Sequence, residues 1–131
     1  MRVDKLIERN FSTIRLDASL GDLVKVIEHS NRNIYPVIDD EDNFYGMVIL
    51  ENIREVMFNT DKYETSYVRN LMVKPQLTIY PGESMDSVVH KFHRSGKFNI
   101  PVLKEGKYIG FVSRARVFSS YRQMLRQWSE D

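Results

Sequence analysis

The chain has no cysteine among its 131 residues. That absence removes disulfide frameworks, thiolate zinc sites and thiol nucleophiles together, and it fits a reducing compartment. Net charge is nearly absent too: 19 Lys and Arg against 18 Asp and Glu leave +1. The molecule therefore carries no overall field to steer it onto nucleic acid or an anionic membrane, and any anion site must be local. No apolar run approaches the roughly 20 residues of a membrane helix, and no signal-peptide pattern opens the chain. Met1 leads straight into patterned residues and reads equally as a native start or as the edge of a longer chain. No catalytic constellation stands out either: the sequence has no nucleophile elbow, phosphate loop or evident carboxylate pair, which argues against an enzyme.

What is present is a repeat. Shifting the sequence by 65 positions aligns Val3 with Val68, Leu6 with Leu71, Thr13-Ile14 with Thr78-Ile79, Ser19 with Ser84, and Pro36-Val37 with Pro101-Val102. With one residue dropped in a turn, Gly46 meets Gly110 and Val48 meets Val112. Unmatched positions keep their apolar character, as in Leu20 with Met85 and Ile27 with Phe92. Repeats are the first thing a sequence can say about a fold. The division that follows is a unit at residues 3–58, a polar and aromatic linker at 59–67, and a second unit at 68–128.

Each unit has the same predicted order of elements. Leu20, Leu23, Val24 and Ile27 form the stripe of an amphipathic helix, repeated by Met85, Val88, Val89 and Phe92. Ser19 and Ser84 stand where N-caps belong, with Asp22 completing a capping box in the first. Gly96 suits the left-handed cap of the second helix, and Asn31 is the corresponding choice in the first. Short apolar runs at 34–38 and 99–103 predict buried strands, with Pro36 and Pro101 at a strand start or an edge. Residues 45–50 and 108–112 return antiparallel, and final helices start near Leu50 and Ser113. The last helix has Val117, Tyr121, Leu125 and Trp128 as its predicted buried stripe. Lead-in turns at 3–7 and 68–72, and brief strands at 13–16 and 78–80, complete the plan. The fold class is thus α/β (α+β), two pseudo-twofold-related β-α-β-β-α units. About 60 residues make a marginal domain alone, so two units are expected to pack through their sheets.

These features carry a family resemblance. The lead-in Val68, Leu71, Met72, the strand Asn99-Ile100-Pro101-Val102 and the junction Gly110 to Ser113 resemble the tandem cystathionine-β-synthase (CBS) domain pair over essentially the whole chain. The runs 21–27, 32–37, 52–58, 108–113 and 118–122 further resemble the cytosolic C-terminal CBS pair of bacterial CLC-type chloride channels. The resemblance implies a non-enzymatic regulatory module at the cytoplasmic face of a membrane, a homodimer, and fusion to an N-terminal channel domain. It also implies adenine nucleotide binding in clefts between units, with ATP, ADP or AMP as regulatory ligand and no required cofactor. Two other readings stand beside it: a structural dimerisation module that binds no nucleotide, and a free-standing CBS protein regulating another enzyme or transporter.

In the family the junction reads Gly-x-x-Ser/Thr-x-x-Asp, the hydroxyl holding phosphate and the aspartate holding the ribose. Here the second copy keeps Gly110 and Ser113 but has Arg116 in place of the acid; the first has Ile49 and Asn52 and is expected empty. Arginine only donates, so this junction suits a phosphate better than a ribose diol. Carried over residue by residue, the candidate nucleotide cleft takes Thr13, Ile14, Arg32 and Asn33 from the first copy and Phe98, Asn99, Ser113 and Arg116 from the second. Phe98 or Ile14 would cover one face of the base.

Plainer readings accompany the sharper ones. Ser113 also reads as an ordinary N-cap, worth roughly 0.5–2 kcal/mol against alanine, and Arg116 as a solvated first-turn residue. His90 and His93 have a metal-ligand spacing but each follows a buried-stripe residue, and no third ligand is evident. The acidic run Asp39 to Asp42 lacks the glycine and distal glutamate of a calcium loop and reads as a solvated hairpin tip. Arg114, Arg116, Arg122 and Arg126 make the last helix basic, with aromatics too sparse for a nucleic-acid surface.

Overall fold

Ser19 and Ser84 open the two amphipathic helices as their spacing predicts. In the computed structural model, which describes residues 2–130, the Ser19 hydroxyl accepts from the Asp22 N–H at 3.1 Å and the Asp22 carboxylate accepts from the Ser19 N–H at 3.2 Å. Helix α1 (Leu20–Glu28) follows. It stops at His29 rather than running on to Asn31, because the His29 N–H already bonds back to Val26 and Ile27 carbonyls. The Ser84 hydroxyl caps the Ser87 N–H, and α3 (Met85–Ser95) ends on Gly96 at φ 64°.

The chain forms two compact units, and they do not coincide with the two sequence copies. The N-terminal unit comprises residues 10–75 and 106–108. Its sheet has the order β1 (Ile14–Arg15), β2 (Ile34–Ile38), β3 (Phe44–Ile49), with β1 parallel to β2 and β2 antiparallel to β3. Pro36 lies in the central strand, yet β1 joins only at Val37 and Ile38, so proline sits one residue before the point where that edge needs donors. Leu20, Leu23, Tyr35, Val37, Val48, Ile53 and Val68 form the core. Residues 59–67 are packed structure, not a loose connection: Ser66 and Tyr63 carbonyls accept from the Leu20 and Gly21 N–H groups at the start of α1.

The expected helix from Leu50 is a single 3-10 turn, Leu50–Ile53, followed by further turns. Its preceding residue is Ile49, which has no side-chain oxygen to cap the first amides. The short helix α2 (Val68–Leu71) then closes the unit, and Val73 pairs with Met47 through two backbone bonds of 2.9 Å.

The C-terminal unit takes residues 2–9, 76–105 and 109–130. It contains α3, the strand β4 (Asn99–Lys104), β5 (Lys107–Ser113) from Ile109 onward, and α4 (Arg114–Glu130). Glu105 and Gly106 both have positive φ, 53° and 80°, which gives the two-residue turn the twist of its strands. The expected strand at 78–80 reduces to a bridge between Ile79 and Val102. The 3-10 turn Val3–Leu6 packs its Val3 and Leu6 into this unit's core, beside Met85, Val88, Phe92, Val112 and Val117. Each lead-in thus serves the unit built by the other copy's strands and helices.

One expectation fails on α4. Leu125 and Trp128 are 52% and 82% exposed instead of buried. At 1.5 Å per residue α4 is about 26 Å long and α3 about 16 Å, so the last turns have no partner helix to pack on. Among the described residues no helix is long and apolar enough to cross a membrane.

Candidate functional site

The junction from β5 into α4 is built by a cap and an ion pair. The Ser113 hydroxyl accepts from the Arg116 N–H at 3.2 Å, so the plain N-cap reading of Ser113 is realised. Its own proton remains a donor in principle, since a hydroxyl can accept and donate together. Arg116 is an exposed first-turn residue, as the plainer reading expects, but it has a partner. Its guanidinium donates to the Glu8 carboxylate at 3.1 Å, and the Glu8 side chain is only 18% exposed. Glu8 reaches this place because its backbone pairs with Phe111 through bonds of 2.8 and 2.9 Å. Gly110 makes that approach possible: a Cβ there would lie 2.4 Å from the Glu8 carbonyl oxygen and 2.9 Å from Ile7 Cγ2.

Phe98 and Asn99 come to the same end of this unit, since the Arg114 N–H donates to the Phe98 carbonyl at 2.8 Å. The Phe98 ring is 77% exposed. Arg114 turns the other way, donating to the Phe92 carbonyl at 3.0 Å and lying 5.0 Å over the Phe118 ring. Phe98, Arg114, Ala115, Phe118, Ser119 and Arg122 line a shallow groove of about 420 Å³.

The other four candidate residues belong to the N-terminal unit. Thr13 precedes β1 and Ile14 opens it, and Arg32 and Asn33 precede β2; because those strands are parallel, all four lie toward one end of the sheet. Thr13 and Asn33 are exposed. Ile14 is buried in the unit's own core, which removes its side chain as a cover for a base. Arg32 donates to the Asn10 carbonyl at 3.0 Å and sits 4.1 Å over the Phe11 ring. The first-copy junction offers no hydroxyl at Ile49, in line with its sequence.

The acidic run folds as a hairpin tip organised by Asp39. Its carboxylate accepts from the Asn43 amide and backbone and from the Glu41 N–H, each at 2.9 Å, and from the Tyr45 hydroxyl at 3.1 Å. The Asn43 amide leads in holding the Asp39 carboxyl down to about 2, while Asp39 in turn raises the Tyr45 hydroxyl. His93 packs edge-on to Phe118 at 5.5 Å. Among the described residues no group of three or more His, Asp or Glu is placed to hold a metal.

Sequence reasoning missed two charged pairs. Glu8 carries no signal of its own; the hint lies in Gly110, whose missing side chain lets another backbone approach. The second is Glu83, fully buried, which accepts from the Tyr80 N–H at 3.2 Å, the Ser87 hydroxyl at 2.5 Å and Lys91 Nζ at 2.9–3.0 Å. Lys91 also donates to the Thr78 carbonyl at 2.7 Å, which ties residues 78–80 to α3. The first copy has Ala18 and Val26 at the matching positions, so the device belongs to one unit alone.

Comparison with known proteins bears on all of this. An uncharacterized protein of Methanocaldococcus jannaschii, MJ1004, is 30% identical over 128 residues, which is 95% of this chain and 58% of that protein. The chain spans 39% of a second relative from the same organism. The crystal structure of MJ1004 superposes with a TM-score of 0.79 at 25% identity, over 94% of this chain and 60% of that one. CBSX2 of Arabidopsis thaliana, a CBS-pair protein solved in complex with AMP, has the same fold at a TM-score of 0.76 and 21% identity, over 94% and 97% of the two chains. The cystathionine β-synthase pair domain of a putative Mg2+ transporter of Shewanella oneidensis matches at 0.74 and 12%, over 95% and 71%. The model of the CBS domain matches residues 3–59 and again 68–122, and with both of its halves so matched the chain belongs to the CBS domain family.

Proposed function

We propose that the chain is a non-enzymatic regulatory module that senses an adenine nucleotide and passes its occupancy to an attached or partner protein. The observation that carries this reading is the double CBS match, joined by the AMP complex of a pair with the same fold. AMP, ADP or ATP is the ligand class. Thr13, Arg32 and Asn33, with Phe98, Asn99, Ser113 and Arg116, are the residues to which we assign contact; Ile14 contributes backbone alone. A phosphate approaching Arg116 has to compete with Glu8, so affinity is expected to be set partly by that ion pair. Ligand acts by favouring one of two arrangements of the module, as differential affinity requires.

We assign the module to a homodimer. Its setting, on the sequence runs given above, is the cytosolic end of a CLC-type chloride channel or exchanger, with the membrane domain encoded N-terminal to it. A reading frame upstream that encodes no membrane helices removes that setting and leaves a free-standing regulator of another enzyme or transporter. The Arg116–Glu8 pair also favours a second reading, a structural dimerisation module with no nucleotide, because it occupies the cation that phosphate would need.

Thermal unfolding with and without nucleotide separates the two. A ligand at about 100 times its dissociation constant stabilises by about 2.7 kcal/mol, several degrees for a domain of this size. We expect such a shift with at least one of AMP, ADP and ATP at millimolar concentration. An unmoved transition with all three leaves the structural reading standing and removes the sensing one.

A further inference from the structure

Two of the residues given ligand contact above hold one short stretch of chain. Arg116 donates from a guanidinium nitrogen to the Glu8 carboxylate at 3.1 Å, and Arg32 donates from Nε to the Asn10 carbonyl at 3.0 Å. Between Arg9 and Asn10 the chain passes from the C-terminal unit into the N-terminal one, so each arginine grips its own unit's side of that crossing. The two grips differ in chemistry. Asn10 offers a neutral carbonyl, whereas Glu8 offers a carboxylate, an anion of the kind Arg116 would accept from a ligand. Their exposure is unequal as well. The Arg116 side chain is 49% exposed and the Glu8 side chain 18%. A solute can therefore reach the guanidinium from outside, while the mostly covered carboxylate depends on that cation for compensation.

We propose that Glu8 is the specificity-determining residue of this site, an internal anion that holds Arg116 until a ligand's phosphate takes it, and that its release loosens the crossing at residues 8–10. The inference rests on the sensing reading above and deepens it by naming what selects the ligand and where occupancy is first felt. With Glu8 in place the charge of Arg116 is largely cancelled, so a ligand gains only by offering more than one carboxylate does. A terminal phosphate carries about −1.5 to −2 at neutral pH and presents three strong acceptor oxygens. It can meet a guanidinium through two parallel bonds. A nucleoside without phosphate has nothing to set against Glu8. Selection thus rises with the negative charge of the ligand. Release has a local consequence. The Glu8 and Phe111 backbones exchange bonds of 2.8 and 2.9 Å in an isolated bridge, not a rung of a longer ladder. That bridge is the element that yields when the Glu8 side chain leaves its cation and turns to water.

Glu8→Gln tests the assignment, because glutamine keeps the shape and an acceptor oxygen while losing the charge. Titration calorimetry with adenosine, AMP, ADP and ATP is run on the unaltered chain and on the variant, and circular dichroism checks that both are folded. The variant should bind ATP at least about tenfold more tightly than the unaltered chain, the effect of removing one nearby like charge from a partly screened site. The gain should be smaller for AMP and absent for adenosine. A pair that served the fold alone would give weaker or equal binding once broken, so a gain graded by ligand charge is not a product of damage. Equal affinities in the two proteins, or weaker binding by the variant, overturns Glu8 as a competitor while the sensing reading survives. No binding of any of the four ligands by either protein removes the sensing reading and this inference with it. Amide hydrogen exchange read by NMR tests release on the unaltered chain, without any substitution. ATP should speed exchange of the Glu8 and Phe111 amides several-fold through local opening of their bridge. Unchanged or slower exchange at both amides overturns the release.

Discussion

Arg116 donates to Glu8 at 3.1 Å, and the two residues are 108 positions apart. The pair joins the first turn of α4 to the lead-in at the other end of the chain. It also converts Arg116 from an open cation into a shared one. Replacing Arg116 with alanine leaves a mostly buried carboxylate with less compensation, so stability should fall, by about 0.2–1 kcal/mol if the pair behaves as partly exposed pairs do. Titration calorimetry carries the functional half of the prediction. The variant should lose more affinity for ATP than for adenosine, since only the former presents phosphate to the guanidinium. Equal losses for the two ligands would show that the phosphate lies elsewhere.

The lead-in segments make a sharper demand at the glycines. A Cβ at Gly110 meets the Glu8 carbonyl at 2.4 Å, and one at Gly46 meets the Val73 carbonyl at 2.7 Å. Both obstacles are backbone, which cannot swing aside as a side-chain tip can. Gly110→Ala and Gly46→Ala should each cost about 1–3 kcal/mol or more, the price of overpacking, and Gly110→Ala should be the worse. Gly96 is the control. Nothing lies within 4 Å of its added carbon, so alanine there carries only the roughly 1–2 kcal/mol of a left-handed residue. Melting temperatures in the order Gly96→Ala, Gly46→Ala, Gly110→Ala, highest first, would match this account; the reverse order would not.

Those glycines also mark how far the sequence could be read. Period and capping place α1 and α3, and proline with the apolar runs places β2 and β4, because these signals act within a few residues. The match of Gly46 to Gly110 was visible as a repeat, but its reason was not: each glycine receives the other copy's lead-in, a relation between residues far apart in the chain. The candidate site divides in the same way. Ser113 was legible as a cap from its position alone, whereas the partner of Arg116 could not be found by any local pattern. Ile14 looked available to a ligand because so brief a strand as that expected at 13–16 gives little hint which face is buried.

Glu83 offers a test of a different cost. It is fully buried and its charge is matched by Lys91, whose own side chain is about a quarter exposed. Removing one partner of a buried pair is far worse than replacing both, because an uncompensated charge remains. Lys91→Met should therefore destabilise by about 3–5 kcal/mol in urea unfolding. Adding Glu83→Gln to that variant should recover part of the loss, since the Tyr80 amide and the Ser87 hydroxyl keep a carbonyl acceptor. A double variant no better than the single would point to lost packing of the lysine stem instead.

Asp39 sets an acid-side dependence. Its folded pKa of about 2 lies below the ordinary 3.8, chiefly through the Asn43 amide. A depressed carboxylate stabilises the fold fully above its unfolded value and loses that contribution as pH falls through the folded one. Stability from this turn should thus be complete above about pH 4 and fade between about pH 4 and 2. Asp39→Asn should flatten the melting-temperature profile in that window while leaving the neutral-to-alkaline profile parallel to the parent. A variant whose acid limb is unchanged would assign the dependence to other carboxylates.

The core beneath the start of α4 and the exposed far end of that helix should differ in their response to truncation. Val117 is fully buried in the C-terminal unit's core, and Phe92 packs there from α3. Phe92→Ala empties space that a close-packed interior cannot refill, and should cost about 3–5 kcal/mol. Trp128 is a larger side chain, yet it touches no core in the described structure, so Trp128→Ala should fall within about 0.5 kcal/mol of the parent. The comparison is made at a concentration where the chain is monomeric, to keep association out of the reading. Were Trp128→Ala to cost as much as Phe92→Ala there, the last turns of α4 would have to pack against the unit in solution, and the exposed end described above would be wrong.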